Sequence, residues 1–114
     1  TEDSYGFRVS RPDGGVGLVY SGDCGRATDL DPLVRAGDTL LCEVSFGPGP
    51  VKPGAAHLDG PAVGALAARR SAGRVLLTHL QMGFDDDATI ASVRRHYDGP
   101  VSLVSPGERY VIGD

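Results

Sequence analysis

The 114-residue sequence predicts a mixed α/β sheet with about three helices on at least one face. Three features lead there: an opening pair of apolar runs around a turn, strand-like and helix-like segments alternating through the middle, and a closing pair of apolar runs after Asp98-Gly99-Pro100. The length suits a single unit.

Each element has its own reason. Tyr5 to Ser10 alternates as a strand does, and Pro12-Asp13-Gly14-Gly15 is a turn in which proline fixes φ and the glycines tolerate positive φ. Val16 to Tyr20 is a second apolar run, so the two should pair as a hairpin. Ser21-Gly22-Asp23-Cys24-Gly25 ends that strand in a glycine-flanked loop. Thr28 to Ala36 is expected to be a short helix closed by Gly37, and Thr39 to Val44 a buried strand. The segment from Ser45 to Ala56 is too broken by proline and glycine for regular structure. Asp59 is placed to cap the next helix, with Pro61 in its first turn, Ala62 to Arg70 as its body and Gly73 as its stop. Val75 to Thr78 is a buried strand with His79 at its C-terminal tip. Asp85-Asp86-Asp87 supplies a capped, dipole-favoured start for a helix to about His96. Val101 to Ser105 and Arg109 to Ile112 complete the set as a closing hairpin.

Composition narrows the function. The net charge is −4, which offers no field attractive to polyanions and argues against long nucleic acid as a partner. Ten of the eleven basic residues are arginine, a sign of GC-rich coding rather than of a binding patch. No apolar run reaches the ~20 residues that span a bilayer, so no membrane partner is expected. The start has neither the basic region nor the apolar stretch of a signal peptide. Cys24 and Cys42 form no CxxC pair, and reduced thiols in a cytoplasmic protein are expected.

In α/β sheets, polar residues at the C-terminal ends of strands gather at one edge, where ligands bind. Asp23, Glu43 and His79 all fall at such ends. Singly, each has an ordinary reading: a turn aspartate, a strand-ending carboxylate, a boundary histidine. His57, two residues before a helix, could be a solvated loop residue. Together, Asp23, His57 and His79 present carboxylate and imidazole, the donors of a Zn²⁺ site that keeps a water in place. The residues alone leave a metal site and a structural role both open.

A family resemblance adds to this. Tyr20-Ser21-Gly22-Asp23-Cys24-Gly25 resembles the S-G-D-T-G motif of metallo-β-lactamase-fold hydrolases. Leu40-Leu41-Cys42-Glu43 is similar to that family's L-L-x-E strand, and His57-Leu58-Asp59 to the H-x-[ST] element of its ribonuclease Z-like branch. Leu77-Thr78-His79-Leu80 resembles the L-T-H that carries a late metal ligand. Glu2, Ser4, Tyr5 and Gly6 look like the E-S-x-G segment that follows another ligand histidine. The order along the chain is the family's own. Cys24 stands where threonine is usual and Asp59 where Ser or Thr is usual; the first is expected to be a buried thiol, the second to keep the helix cap.

The resemblance implies the C-terminal half of an αββα sandwich, occupying residues 1–114. It implies that Asp23 bridges two zinc ions (Mn²⁺ being an alternative metal), that His79 ligates one of them, and that His57 faces the substrate as a phosphate-binding or proton-donating group. Glu43 becomes a candidate partner orienting an imidazole. The family's H-x-H-x-D-H signature is not in this sequence. Two ligands are fewer than a catalytic zinc needs, so the chain by itself is expected to be inactive and to require the N-terminal half of the same fold as partner, with homodimerisation a further expectation.

The interval before Asp23 holds only the Tyr5–Tyr20 hairpin, whereas the tRNA 3′-processing enzymes of this family carry a long arm there. A small phosphodiester such as a cyclic nucleotide therefore suits better than tRNA. Alternatives are a same-fold hydrolase of esters, thioesters or lactones, a tRNA 3′-endonuclease, and a metal-free binding or scaffold remnant. A nucleotide-binding domain is disfavoured, because neither G-x-G-x-x-G nor G-x-x-x-x-G-K-[ST] is present.

Overall fold

The computed structural model describes residues 6–22, 30–44, 58–78, 85–104 and 107–112. In chain order the elements are β1 (Phe7–Val9), β2 (Leu18–Tyr20), β3 (Thr39–Glu43), α1 (Gly60–Arg69), β4 (Arg74–Thr78), α2 (Asp86–Arg94) and β5 (Val101–Leu103). They build one five-stranded sheet ordered β1-β2-β3-β4-β5. The opening hairpin pairs β1 with β2 antiparallel, and every later pairing is parallel. The sheet is therefore mixed, as expected.

Register explains the core. Val19, Leu40, Val75 and Val101 lie side by side across four strands and are all buried. Side chains alternate faces along a strand, so Cys42 and Leu77 share their side. The crossovers β3-α1-β4 and β4-α2-β5 advance in the same direction, and the right-handed rule then places both helices on one face. Val63, Leu66 and Ala67 of α1 and Val93 of α2 complete the cluster formed by that strand face. The opposite face carries Phe7, Tyr20, Leu41 and Leu76, aligned by the same registers. Phe7 is half exposed and meets Tyr20 edge-on, with ring centroids 5.7 Å apart.

The helices begin where the sequence placed them. Asp59 caps α1, its carboxylate accepting from Ala62 N at 2.9 Å, and Asp85 caps α2 by accepting from Asp87 N. α1 stops earlier than its expected glycine. Ser71 takes the left-handed conformation at φ 55°, and Ala72 N reaches back to Ala67 O at 3.0 Å, so the helix closes before Gly73. α1 and α2 pack closely at Gly64, where a Cβ would stand 2.5 Å from Val93 O.

Two expected elements are absent from the described residues. Residues 30–36 of the expected Thr28–Ala36 helix form turns, with Leu33 N and Val34 N both bonded to Leu30 O. Pro32 disfavours helical backbone at Asp31, and the Asp38 carboxylate draws off Arg35 N at 2.9 Å, so no second turn forms. The closing hairpin also fails. Among the described residues Arg109–Ile112 pairs with no strand, and Arg74 donates to Val111 O at 3.3 Å. Gly107 before it has φ 85°, in the left-handed region that favours glycine.

Candidate metal centre

β2, β3 and β4 run parallel, so their C-terminal ends share one edge of the sheet. Glu43, at the end of β3, is fully buried there and links three stretches of chain. Its main-chain N donates to Ser21 Oγ at 3.0 Å, beyond the end of β2. Its Oε1 accepts from Leu58 N at 2.8 Å, just before α1. It pairs in register with Thr78, the last residue of β4, and the adjoining Val44 N donates to Thr78 O at 3.0 Å. A carboxylate on a strand end is thus used to hold main chain, which satisfies a buried donor that would otherwise cost stability.

Asp23, His57 and His79 lie outside the described residues. Their chain neighbours do not: Gly22, Leu58 and Thr78 each precede or follow one of them directly, Leu58 and Thr78 meet Glu43, and Gly22 is bonded to Ser21, which does. β2 and β4 flank β3, so the chain passes into Asp23 and into His79 from strand ends two inter-strand spacings apart, about 10 Å. Cys24 lies outside the described residues as well, while Cys42 is a fully buried thiol of the helix-covered core.

Among the described residues no three His, Cys, Asp or Glu side chains come together to hold a metal ion. The chemistry nevertheless fits one. In sequence, Asp23 comes shortly after β2 and His79 immediately after β4, the two strands flanking the one that ends in the buried Glu43. Carboxylate and imidazole are donors that zinc accepts once other polypeptide completes the set.

Sequence reasoning missed two residues. Ser21 was read only as part of a motif, yet its side chain is fully buried and hydrogen-bonded on both sides, to Glu43 N and to Gly22 O at 2.9 Å. Asp38 precedes the expected strand Thr39–Val44 and carries no signal of its own in the sequence. Its carboxylate accepts four hydrogen bonds: Arg8 Nε at 2.7 Å, a second Arg8 nitrogen at 2.8 Å, Gly17 N at 2.8 Å and Arg35 N at 2.9 Å. Burial by itself would raise the pKa of Asp38, but the Arg8 hydrogen bond, the two amides and the Arg8 charge together hold it below the usual carboxylate range. This ion pair joins the hairpin to β3 at the sheet edge opposite Glu43. It is scaffold, not site. No signal in the sequence links residues 30 positions apart.

The architecture matches part of a metallo-β-lactamase fold. The chain superposes on the metallo-β-lactamase fold protein YhfI of Bacillus subtilis with a TM-score of 0.81 and 26% identity, over 91% of this chain and 42% of that one. It is 39% identical over 110 residues to the uncharacterized protein ML1173 of Mycobacterium leprae, covering 96% of this chain and 38% of the relative. It is 34% identical over 110 residues to the uncharacterized protein Rv1339 of Mycobacterium tuberculosis, covering 96% of this chain and 40% of the relative. The chain thus spans about two fifths of the length of the curated relatives it matches. No protein-family model matches the chain. No helix among the described residues is long and apolar enough to cross a membrane.

Proposed function

We propose that this chain is the C-terminal half of a cytoplasmic zinc-dependent hydrolase acting on a small phosphodiester such as a cyclic nucleotide. The observation that carries the reading is the convergence on Glu43 of the chain beside Asp23, His57 and His79. The likeness to a metallo-β-lactamase fold protein supports it.

In this reading Asp23, through its carboxylate, and His79, through an imidazole nitrogen, would hold the zinc. Remaining ligands come from an N-terminal half of the same fold. Zinc bound there would acidify water and offset the charge that gathers on phosphoryl oxygens during displacement. His57 faces the substrate, where it would bind a phosphate oxygen or protonate the departing alkoxide. Glu43 acts on His57 through the main chain, because the Leu58 N–H it accepts belongs to the peptide bond between His57 and Leu58. A cyclic phosphodiester suits this site because it needs only a compact pocket, and the acidic chain would repel a longer polyanion.

The test is zinc content, together with hydrolysis of an aryl phosphodiester and of cyclic nucleotides, in the full-length protein and its Asp23→Ala and His79→Ala variants. Both variants should lose zinc and at least 100-fold in rate, since each removes a ligand. Wild-type zinc content and rate in both would refute the reading. Ester, thioester and lactone substrates tested alongside separate other hydrolases of the same fold.

A further inference from the structure

We propose that Ser21 is a positioning residue for Asp23, acting by fixing the peptide that joins Gly22 to it; this rests on the reading of Asp23 as a metal ligand. The main-chain ladder between β2 and β3 continues one residue past Tyr20, with Ser21 N donating to Leu41 O at 3.0 Å. In a regular parallel ladder the next bond would run from Glu43 N to the Ser21 carbonyl. Here the Ser21 hydroxyl takes that donor instead, at 3.0 Å. The side chain replaces its own carbonyl, which lets the main chain leave the sheet without stranding a buried amide.

The same hydroxyl spends its one proton on Gly22 O at 2.9 Å. That carbonyl belongs to the peptide bond whose nitrogen is Asp23's. Gly22 itself turns at φ 57°, in the left-handed region that favours glycine. The peptide plane entering Asp23 is therefore held against β3, the rigid centre of the sheet, by a fully buried group. Both bonds need a donor and an acceptor on one short side chain, which restricts the position to Ser or Thr. Alanine at this position would leave Glu43 N without its acceptor and the Gly22 peptide free to rotate.

The experiment uses zinc affinity, measured by chelator competition on the full-length protein, in Ser21→Ala, Ser21→Thr, Asp23→Ala and Tyr97→Phe, with a thermal melt for each. Tyr97→Phe deletes a buried hydrogen bond to Ala72 O at the end of the molecule remote from Glu43, and so reports loss of stability alone. Ser21→Ala should bind zinc ~10–100-fold more weakly, the range for groups that orient ligands. Ser21→Thr should recover most of that, and Tyr97→Phe should lower the melting temperature without weakening zinc. Should Ser21→Ala fail to fold, Ser21→Cys keeps the volume with a much weaker donor and takes its place. Wild-type zinc affinity in the Ser21 variant while Asp23→Ala has lost zinc overturns the role of Ser21 and leaves the metal reading standing. Undiminished zinc binding in Asp23→Ala brings down both.

Discussion

Glu43 Oε1 lies 2.8 Å from Leu58 N, so the residue next to His57 is fastened to the strand that separates the chain entering Asp23 from the chain entering His79. A single buried carboxylate thus fixes where the loop before α1 returns to the sheet. Glu43→Ala should destabilise the protein by about 1–3 kcal/mol, the cost of leaving a buried donor unsatisfied. Urea titration reads the loss. Stability equal to the wild type would show that the bond organises nothing.

Asp38 makes stability depend on pH. Its folded pKa lies below the unfolded value, so its contribution is fully present above the unfolded carboxylate pKa of about 3.9. It is lost as pH falls from there through the lower folded value. Thermal melts of wild type and Asp38→Asn between pH 7 and pH 2 should show a gap that is constant above about pH 5 and closes below pH 4. A gap that widens with acid would contradict the sign.

Gly64→Ala sets helix propensity against packing. Alanine improves the helix by about 1 kcal/mol. The new Cβ would stand 2.5 Å from Val93 O, a backbone atom of α2 that cannot turn aside, and overpacking of this kind costs about 1–3 kcal/mol. The clash should win. Calorimetry should show a lower melting temperature; an increase would mean that the helices separate cheaply.

Asp59→Ala should cost at least about 1 kcal/mol through loss of the α1 cap, and Asp59→Ser should change stability by only a few tenths. Chemical denaturation distinguishes them. An equal loss in both variants would place Asp59's contribution elsewhere than in the cap.

Much of the fold was legible in local chemistry. The apolar run Val75 to Thr78 and the cap Asp59 with Pro61 each act within a few residues, and both are where expected. The Thr28–Ala36 helix was not. Its composition permits a helix, yet Pro32 and the pull of Asp38 on Arg35 N outweigh propensity over so few residues. Arg109–Ile112 has a strand's composition, but a strand also needs a neighbour to pair with, and its own sequence cannot supply one.

By itself the sequence determined the β1–β2 hairpin, the strands β3 and β4 and the two capped helices, because periodicity and capping are properties of adjacent residues. It also marked Asp23, Glu43 and His79 as polar ends of apolar runs. Only the tertiary structure decided that Glu43 stands between Ser21 and Thr78, the described ends of the chain leading to Asp23 and to His79, and that Ser21 and Leu58 are tied to it. Those bonds join residues 22 and 15 positions apart, and the register of parallel strands, set by burial of Val19, Leu40 and Val75 against the helices, is what brings them within reach.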